Sequence, residues 1–338
     1  MEFGSDFQLI EYPKGYSIVD IYKNANFYLD GRQAIIDLVK HNRWRQLWVP
    51  TYYCHDFLKD VSEWIPIRYY DTTPESNCDI SKYDISEHDA IVVMNYFGQS
   101  QKPLLNTKAI VIEDHSHDLI SNWAKLSNAH WCFGSLRKTL PIADGGILWS
   151  PRSLPLPPIP NWTIEGNHWA ETRYYAMELK SSYLNGNQVD KEVFRRIYID
   201  SEEMLSMMPI SGISKRSYSI VAELDIEKWY EHKRSNWTYM LNHLHLNNNI
   251  DVWSNQVATT PFSVILKCKT QTIRDELRNK LIKQSVYPAI LWDIPHKDFV
   301  AARNFSQTML SIHCDGRYKL DEIEKLIAII NNTIACLK

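Results

Sequence analysis

The sequence lacks an apolar run long enough to cross a bilayer, which takes about 18 residues or more. It also lacks an N-terminal basic segment followed by an apolar one, so we expect no secretory signal. The six cysteines stand singly, without a Cys-x-x-Cys pair, which argues against a zinc ribbon and against a disulfide framework. A cytoplasmic protein with free thiols is therefore expected.

An excess of one charge sign is also missing. The chain has 37 Lys and Arg against 40 Asp and Glu, a net charge of -3 that gives no general attraction to nucleic acid or to an anionic membrane. A hydrophobic fraction of 44% is typical of a soluble globular protein, and 338 residues are enough for two domains or for one large domain with a smaller lobe. The opening residues 1–5, MEFGS, have the look of a vector-derived remnant, and we exclude them from the fold prediction.

Short apolar runs alternate with helical segments between about residues 26 and 150. The segment GRQAIIDLVKHN carries a helical apolar stripe, and QLWVP, IPIRYYD, AIVVMN, AIVIED and GGILWS are rich in β-forming residues. Because these runs alternate with helices and lack hairpin turns, they predict an α/β fold with a mostly parallel central sheet flanked by helices. Ligands of such sheets bind beyond the carboxyl ends of the strands.

A proline-rich segment over residues 151–162 ends this alternation, since proline favours extended structure and is excluded from helix interiors and central strands. Two long helical stretches follow, and the tail alternates again as strand, helix, strand and helix. We therefore predict a large domain over residues 1–208, which includes the spacer, and a smaller C-terminal α/β domain over residues 209–338.

A cluster of acidic and histidine residues, EDHSHD (113–118), follows the apolar run AIVI. It has four possible interpretations: a metal site, a catalytic pair, a cofactor clamp or a solvated loop. His115 and His117 are two residues apart and would face the same way on a strand, as paired zinc ligands do. No second cluster of comparable quality offers a third ligand, so we expect no metal.

Lys138 is the second candidate for chemistry. It lies in GSLRKTLPIADGG (134–146), between an aromatic-rich stretch and the residues Asp144-Gly145-Gly146. A lone lysine is usually a solvated surface charge. Lys138 becomes a candidate for catalysis only because other motifs of the sequence accompany it.

Four segments together resemble the DegT/DnrJ/EryC1/StrS family, the pyridoxal-phosphate-dependent sugar aminotransferases of fold type I. DGRQAI (30–35) is similar to its Ser-Gly-Thr-x-Ala-Leu phosphate loop, and VPTYYC (49–54) to its Val-Pro-x-x-x-Phe segment. IEDHSH (112–117) resembles Glu-Asp-Ala-Ala-His/Gln, and residues 134–146 resemble Ser-x-x-x-Lys followed by Gly-Glu-Gly-Gly. The four segments occur in the same order as in the family. Weaker similarities in EHKRSNW and MLSIHCDGRY extend the resemblance over nearly the whole chain.

The resemblance implies a pyridoxal 5'-phosphate cofactor of aspartate-aminotransferase type. Lys138 would hold its carbonyl carbon as a Schiff base and move the proton during catalysis. Asp114 would keep the ring nitrogen protonated, because a carboxylate favours the cationic form of a neighbouring base. His117 would hydrogen-bond the phenolic oxygen.

The phosphate would lie at the start of the first amphipathic helix. There Gly31, Arg32 and Gln33 offer backbone N–H groups and the positive helix end. In many family members a serine stands five residues before the lysine, but Phe133 occupies that position here. Ser135, three residues before the lysine, is the nearest hydroxyl: either the loop is shortened and Ser135 binds the phosphate, or that contact is lost.

Other site residues are expected on the same resemblance. Tyr53 would stack on the pyridine ring, with Cys54 as the alternative. Arg216 in PISGISKRSY and Arg317 in CDGRY could bind a carboxylate or pyrophosphate of the substrate, or could be surface ion pairs. The asparagine that the neighbouring subunit supplies in the family has no clear counterpart.

The expected function is transfer of an amino group from an amino acid, with glutamate as the expected donor, to a keto sugar, with a nucleotide-linked sugar as the expected acceptor. Polysaccharide or antibiotic sugar biosynthesis is the family's usual setting. Alternatives are an aminotransferase of a small keto compound without a nucleotide, a catalytically weak regulatory homologue that binds the cofactor, and a metal-binding hydrolase. A homodimer with the active site at the interface is implied, with neither nucleic acid nor membrane as a partner.

Overall fold

The computed structural model describes residues 2–76, 79–254 and 260–337. In these residues the strands are β1 (Phe3–Gly4), β2 (Asn26–Tyr28), β3 (Leu47–Pro50), β4 (Ile67–Tyr70), β5 (Ala90–Met94), β6 (Ile110–Asp114), β7 (Trp131–Ser135), β8 (Gly146–Trp149), β9 (Ile250–Trp253), β10 (Val264–Cys268), β11 (Val286–Tyr287) and β12 (Met309–Ile312).

The helices in the same residues are α1 (Ile18–Ile21), α2 (Gly31–Asn42), α3 (His55–Ser62), α4 (Asn122–Lys125), α5 (Ile164–Leu184), α6 (Lys191–Met204), α7 (Lys215–Glu223), α8 (Ile226–His243), α9 (Gln271–Ile282), α10 (Val300–Thr308) and α11 (Leu320–Ala335). Short 3-10 turns occur at Ile80–Lys82, Tyr96–Gly98, Leu136–Lys138 and Leu205–Met207.

A seven-stranded sheet with the order β2-β8-β7-β6-β5-β3-β4 forms the centre of the molecule. The strands from β4 to β7 pair in parallel, and β8 pairs antiparallel with both β7 and β2. The predicted α/β fold with a mostly parallel sheet is confirmed. Its strands are apolar and short because helices connect them and cover both faces.

Two hydrophobic cores lie on opposite faces of this sheet, as the alternation of side chains along a strand requires. Ile112 and Phe133 pack in one core. Their sequence neighbours Val111 and Cys132 pack in the other. The same alternation continues into the EDHSHD segment. Asp114 lies on the face of the sheet that Ile112 occupies, and Glu113 lies on the face that Val111 occupies.

A smaller antiparallel sheet, β12-β10-β9, forms a second body of the chain with helices α9 and α11. Its core includes Leu266, Leu310 and Ile323. Helix α8 contributes Trp229 to the core of the large sheet and Met240 to the core of the small one. The alternating C-terminal lobe is therefore present, while the domain boundary at residue 208 stays a prediction.

The N-terminal residues are built into the structure. Phe3 is buried and pairs with Val286 of β11, and the backbone N–H of Gly4 donates to the Tyr318 hydroxyl at 2.7 Å. Lys180 donates to the Ser5 hydroxyl at 2.8 Å. Excluding these residues from the fold was wrong, because an apolar side chain at position 3 completes the core of the small sheet.

The proline-rich segment contains neither helix nor strand, as predicted, and runs along the large sheet. The Asn26 side chain donates to the Pro157 carbonyl at 2.8 Å, and the Trp131 ring N–H donates to the Pro155 carbonyl at 3.3 Å. In the described part of the chain, no helix combines the length and apolarity that crossing a membrane requires.

Candidate functional site

Asp114 ends strand β6 and is 4% exposed. One carboxylate oxygen, Oδ2, accepts a hydrogen bond from the Tyr53 hydroxyl at 2.5 Å. The other, Oδ1, accepts one from the backbone N–H of Ser116 at 2.8 Å. Two donors fix the orientation of a buried carboxylate at the carboxyl end of a central strand, where ligands of parallel sheets bind.

His117 lies on the same side and is stacked between aromatic rings. Its ring centre is 4.2 Å from that of Phe262 and 5.4 Å from that of Trp292. Its Nδ1 accepts the backbone N–H of Phe97 at 3.1 Å, so the proton of the neutral ring is assigned to Nε2. Burial, together with the nearby ammonium of Lys138, lowers its pKa well below the usual value. His117 is therefore a neutral ring with one N–H to donate.

His115 faces the other side of the sheet, so the two histidines do not form a zinc pair. Its Nε2 lies 3.0 Å from Glu113 Oε2, and the ligand atoms of Glu113, His115 and Cys132 lie within 4.8 Å of one another. Ser127 donates to Glu113 at 2.6 Å, and the Lys102 ammonium lies 3.1 Å from its other oxygen. Protonated donors and an ammonium group already satisfy this carboxylate.

Lys138 occupies the 3-10 turn directly after β7. Within residues 2–76, 79–254 and 260–337, its ammonium group makes no hydrogen bond or ion pair, and its Nζ lies 6.0 Å from the centre of the Trp292 ring. A lysine that is not paired with a carboxylate keeps its amine available as a nucleophile or base.

Two cavities meet at Lys138. The Asp114 cavity has a volume of about 90 Å³ and is lined by Asp30, Gly31, Arg32, Tyr53, Cys54, Phe57, Asp114, Ser116, Phe133, Ser135, Arg137, Lys138, Glu202 and Trp292. The His117 cavity, of about 270 Å³, takes its lining from the N-terminal segment, the helical region and the small lobe as well. Arg137, Lys138 and Trp292 line both cavities, so they form the partition between them.

The start of helix α2 forms one wall of the Asp114 cavity. Asp30 caps the helix and accepts the backbone N–H of Gln33 at 2.9 Å. A side chain on Gly31 would place its Cβ 3.1 Å from the backbone nitrogen of Ser135, so glycine permits the close approach of helix and strand. The Ser135 hydroxyl makes no hydrogen bond in the described part of the chain, and Ser135 lines the same cavity as Gly31 and Arg32, the first two residues of the helix.

Gln33 does not line either cavity. Its side chain amide donates to the Pro209 carbonyl at 2.8 Å and accepts the Ser211 N–H at 2.9 Å. Its backbone N–H is taken by the helix cap. The structure therefore assigns Gln33 to the connection between α2 and the segment before α7, and Gly31 and Arg32 are the predicted loop residues that reach the cavity.

The two predicted substrate arginines differ in position. Arg216 lies outside both cavities and pairs with Glu178 at 3.0 Å and with Glu171 at 3.6 Å. Arg317 lines the His117 cavity, and its guanidinium holds both oxygens of Asp315 at 2.8 and 2.9 Å. Of the two arginines, Arg317 alone lies at the site, and its guanidinium is already bonded to Asp315.

A chain of ion pairs near Lys138 was missed by reading the sequence. Arg137 pairs with Glu202 at 2.7 Å, Glu202 lies 3.5 Å from Arg173, and Arg173 pairs with Asp6 at 2.9 Å. The Nε atoms of Arg137 and Arg32 are buried and have no hydrogen-bond partner among the residues that the structure describes. The only sequence signal for this group was the position of Arg137 next to Lys138.

No family model matches the sequence, and no curated protein matches it. Solved structures do share its architecture over the whole chain. Helicobacter pylori PseC, an aminotransferase involved in the biosynthesis of pseudoaminic acid, has a TM-score of 0.61 at 11% identity, covering 99% of this chain and 100% of its own. The aminotransferase TlmJ from Streptoalloteichus hindustanus has a TM-score of 0.61 at 10% identity, covering 100% of both chains.

The PLP form of a candidate sugar aminotransferase from Streptococcus pneumoniae has a TM-score of 0.59 at 8% identity, again covering 100% of both chains. At such identities the likeness concerns the fold. It confirms the prediction made from the sequence: the chain adopts the fold type I α/β architecture of these aminotransferases.

Proposed function

We propose that the protein is a pyridoxal-phosphate-dependent aminotransferase that transfers an amino group from an amino acid to a keto sugar. The observation that carries this proposal is the shared lining of one cavity. The unpaired amine of Lys138, the oriented carboxylate of Asp114 and the start of helix α2 meet at the carboxyl ends of the central strands. The PseC and TlmJ aminotransferases, which share the fold, support the same activity.

The residues present fit the cofactor. A phosphate needs several N–H or O–H donors, and the lining of the Asp114 cavity includes Arg32, Arg137 and Ser135, whose hydroxyl makes no hydrogen bond within the described residues. At about 90 Å³ this cavity is smaller than most ligand sites, which start near 300 Å³. A shift of the Trp292 side chain would join it to the His117 cavity.

When bound, pyridoxal phosphate supplies a cationic ring that takes up the electron pair left on a substrate carbon. Asp114 would hold the positive charge of the ring nitrogen, and the Nε2–H of His117 would donate to the phenolic oxygen. Lys138 would bind the carbonyl carbon and then move a proton between the substrate carbon and the cofactor in each of the two half-reactions. Tyr53 would line the ring while its hydroxyl holds Asp114.

The net reaction needs no external oxidant or reductant. The donor loses its amino nitrogen and becomes a keto acid, and the acceptor's carbonyl carbon gains that nitrogen. The acceptor's oxygen leaves as water, and water supplies the keto oxygen of the spent donor. Glutamate is the proposed donor, and a nucleotide-linked keto sugar the proposed acceptor, in a cytoplasmic homodimer whose active site lies at the interface.

A keto compound without a nucleotide is the second candidate acceptor. Two arginines that line the His117 cavity are paired with carboxylates: Arg173 with Asp6 and Arg317 with Asp315. A pyrophosphate group would have to compete with these pairs for guanidinium donors. This favours an acceptor with hydroxyl groups rather than phosphates.

The visible absorption spectrum with added pyridoxal phosphate tests the function. The wild type should develop the band of lysine-bound cofactor, and glutamate should remove it. Lys138→Ala should form no such band, while Lys325→Ala, which changes an exposed lysine of α11, should behave as the wild type. A wild-type protein that forms no band, or a Lys138→Ala protein that keeps it, would refute the proposal.

A further inference from the structure

Phe133 leaves a gap in the expected phosphate site. It stands at the position where many members of the resembling family have a serine, and its side chain is 2% exposed and packed in the core of the large sheet. Ser135 and the first turn of α2 remain as uncharged donors. A phosphate monoester carries about -1.5 to -2 charges at neutral pH. Placing that charge in a partly buried cavity needs a cationic partner.

Three cations line the Asp114 cavity: Arg32, Arg137 and Lys138. Lys138 is committed to the carbonyl end of the cofactor if the proposed function holds. Arg32 contacts Asp60 through Nη1 at 2.5 Å, which holds its charge toward α3. Arg137 is the cation next to Lys138 in sequence and lines both cavities.

The carboxylate partner of Arg137 is shared with a second guanidinium group, and the carboxylate of Asp30, in the same cavity, also acts on Arg137. Glu202 lines the cavity 2.7 Å from Arg137, yet the same carboxylate lies 3.5 Å from Arg173 and so serves two guanidinium groups. Within the described residues, only Nη2 of Arg137 donates to this carboxylate, and the buried Nε has no hydrogen-bond partner. A guanidinium fixed on one side by a carboxylate presents its remaining N–H groups in a defined direction, as phosphate recognition requires.

We propose that the Arg137 side chain binds the cofactor phosphate and supplies the cationic donor that the Ser135 hydroxyl does not. Ser135 and the N–H groups of Gly31 and Arg32 complete the ring of donors, and Glu202 holds the guanidinium in place. The inference rests on the proposed function, because the phosphate is that of the bound cofactor. It assigns the phosphate a charged ligand that precedes the catalytic lysine directly.

A comparison of two ligands separates phosphate binding from structural support. Apparent dissociation constants for pyridoxal phosphate and for pyridoxal, which lacks the phosphate, are measured from the band of lysine-bound cofactor. Arg137→Gln should weaken pyridoxal phosphate binding about 10- to 100-fold, the usual effect of losing a hydrogen bond to a charged group, and leave pyridoxal binding unchanged. Arg137→Lys keeps the charge but not the planar guanidinium group. Its affinity for pyridoxal phosphate should lie between those of the wild type and of Arg137→Gln.

Arg137→Gln leaves Glu202 with one partner fewer, so its folding is checked by circular dichroism. If it does not fold, Arg137→Gln combined with Glu202→Gln removes both charges of the pair and carries the comparison instead. Equal losses for the two ligands, or no loss for either, would overturn the inference. A wild-type protein that binds neither ligand through Lys138 would instead refute the proposed function, and with it this inference.

Discussion

Tyr53→Phe removes one oxygen atom from the candidate site and tests whether Asp114 is a buried, ionised carboxylate. Tyr53 is 1% exposed and its hydroxyl donates to Asp114 Oδ2 at 2.5 Å. Hydrogen bonds to charged groups contribute about 1.5–3 kcal/mol, whereas those between neutral groups contribute about 0.5–1.5 kcal/mol. We therefore expect the free energy of unfolding to fall by about 1.5–3 kcal/mol without cofactor.

A matched control exists in the same chain. The Tyr22 hydroxyl donates to the neutral Leu119 carbonyl at 2.7 Å, and the residue is also buried. Tyr22→Phe should cost about 0.5–1.5 kcal/mol. Urea unfolding of the two variants measures both values, with equal slopes as the check that the unfolded state has not changed. If Tyr53→Phe costs no more than Tyr22→Phe, the reasoning about an ionised Asp114 fails.

The cofactor adds a second comparison on the same side chain. If Tyr53 contributes its ring to the bound cofactor, Tyr53→Phe should keep the affinity for pyridoxal phosphate while Tyr53→Ala loses it. In Tyr53→Phe, Asp114 Oδ2 loses its hydrogen bond from the Tyr53 hydroxyl. The protonated ring nitrogen of the bound cofactor would donate to Asp114 instead, so the cofactor should restore part of the lost stability. Weaker binding by Tyr53→Phe would mean that the hydroxyl, rather than the ring, matters for the cofactor.

Three further changes test other parts of the structure. Trp292→Ala removes the partition between the two cavities and should speed the appearance of the lysine-bound band in stopped-flow mixing; an unchanged rate would contradict a blocking role. Burial raises the pKa of Asp144 from 3.8 to about 6, so the folded state binds this proton more tightly and stability is lost as pH rises from about 4 to about 6. Urea unfolding at several pH values should show that this loss is absent in Asp144→Asn. Phe3→Ala should cost about 3–5 kcal/mol of unfolding free energy, while Leu104→Ala, at a 99% exposed side chain, should change it by less than about 0.5 kcal/mol.

The features that the sequence predicted well are those that depend on local pattern and strand order. Asp114 was expected at the site because ligands bind beyond the carboxyl ends of parallel strands, and Lys138 was expected there because of the family resemblance. The register of β6 and β7 places Asp114 beside Phe133, five residues before Lys138. The apolar stripe of α2 and its cap at Asp30 likewise follow from short-range rules.

The features that the sequence could not provide depend on contacts between distant segments. Trp292 reaches Lys138 from the small lobe, and nothing in its local sequence distinguishes it from other tryptophans. Gln33 was expected at the phosphate because it begins a helix, but contacts with residues 209–211 decide where its side chain points. Arg216 was chosen for its chemistry, and a neighbouring helix, α5, supplies the carboxylates that hold it.

Helix α8 limits how the chain can be divided. One end packs Trp229 against the large sheet, and the other packs Met240 against the small one. A fragment of residues 209–338 would contain α8 and would expose the Trp229 face of this helix. A fragment of residues 1–208 would lose the part of its core that Trp229 fills. Neither fragment is therefore expected to fold stably by itself, and the two lobes of the intact protein should unfold in a single thermal transition.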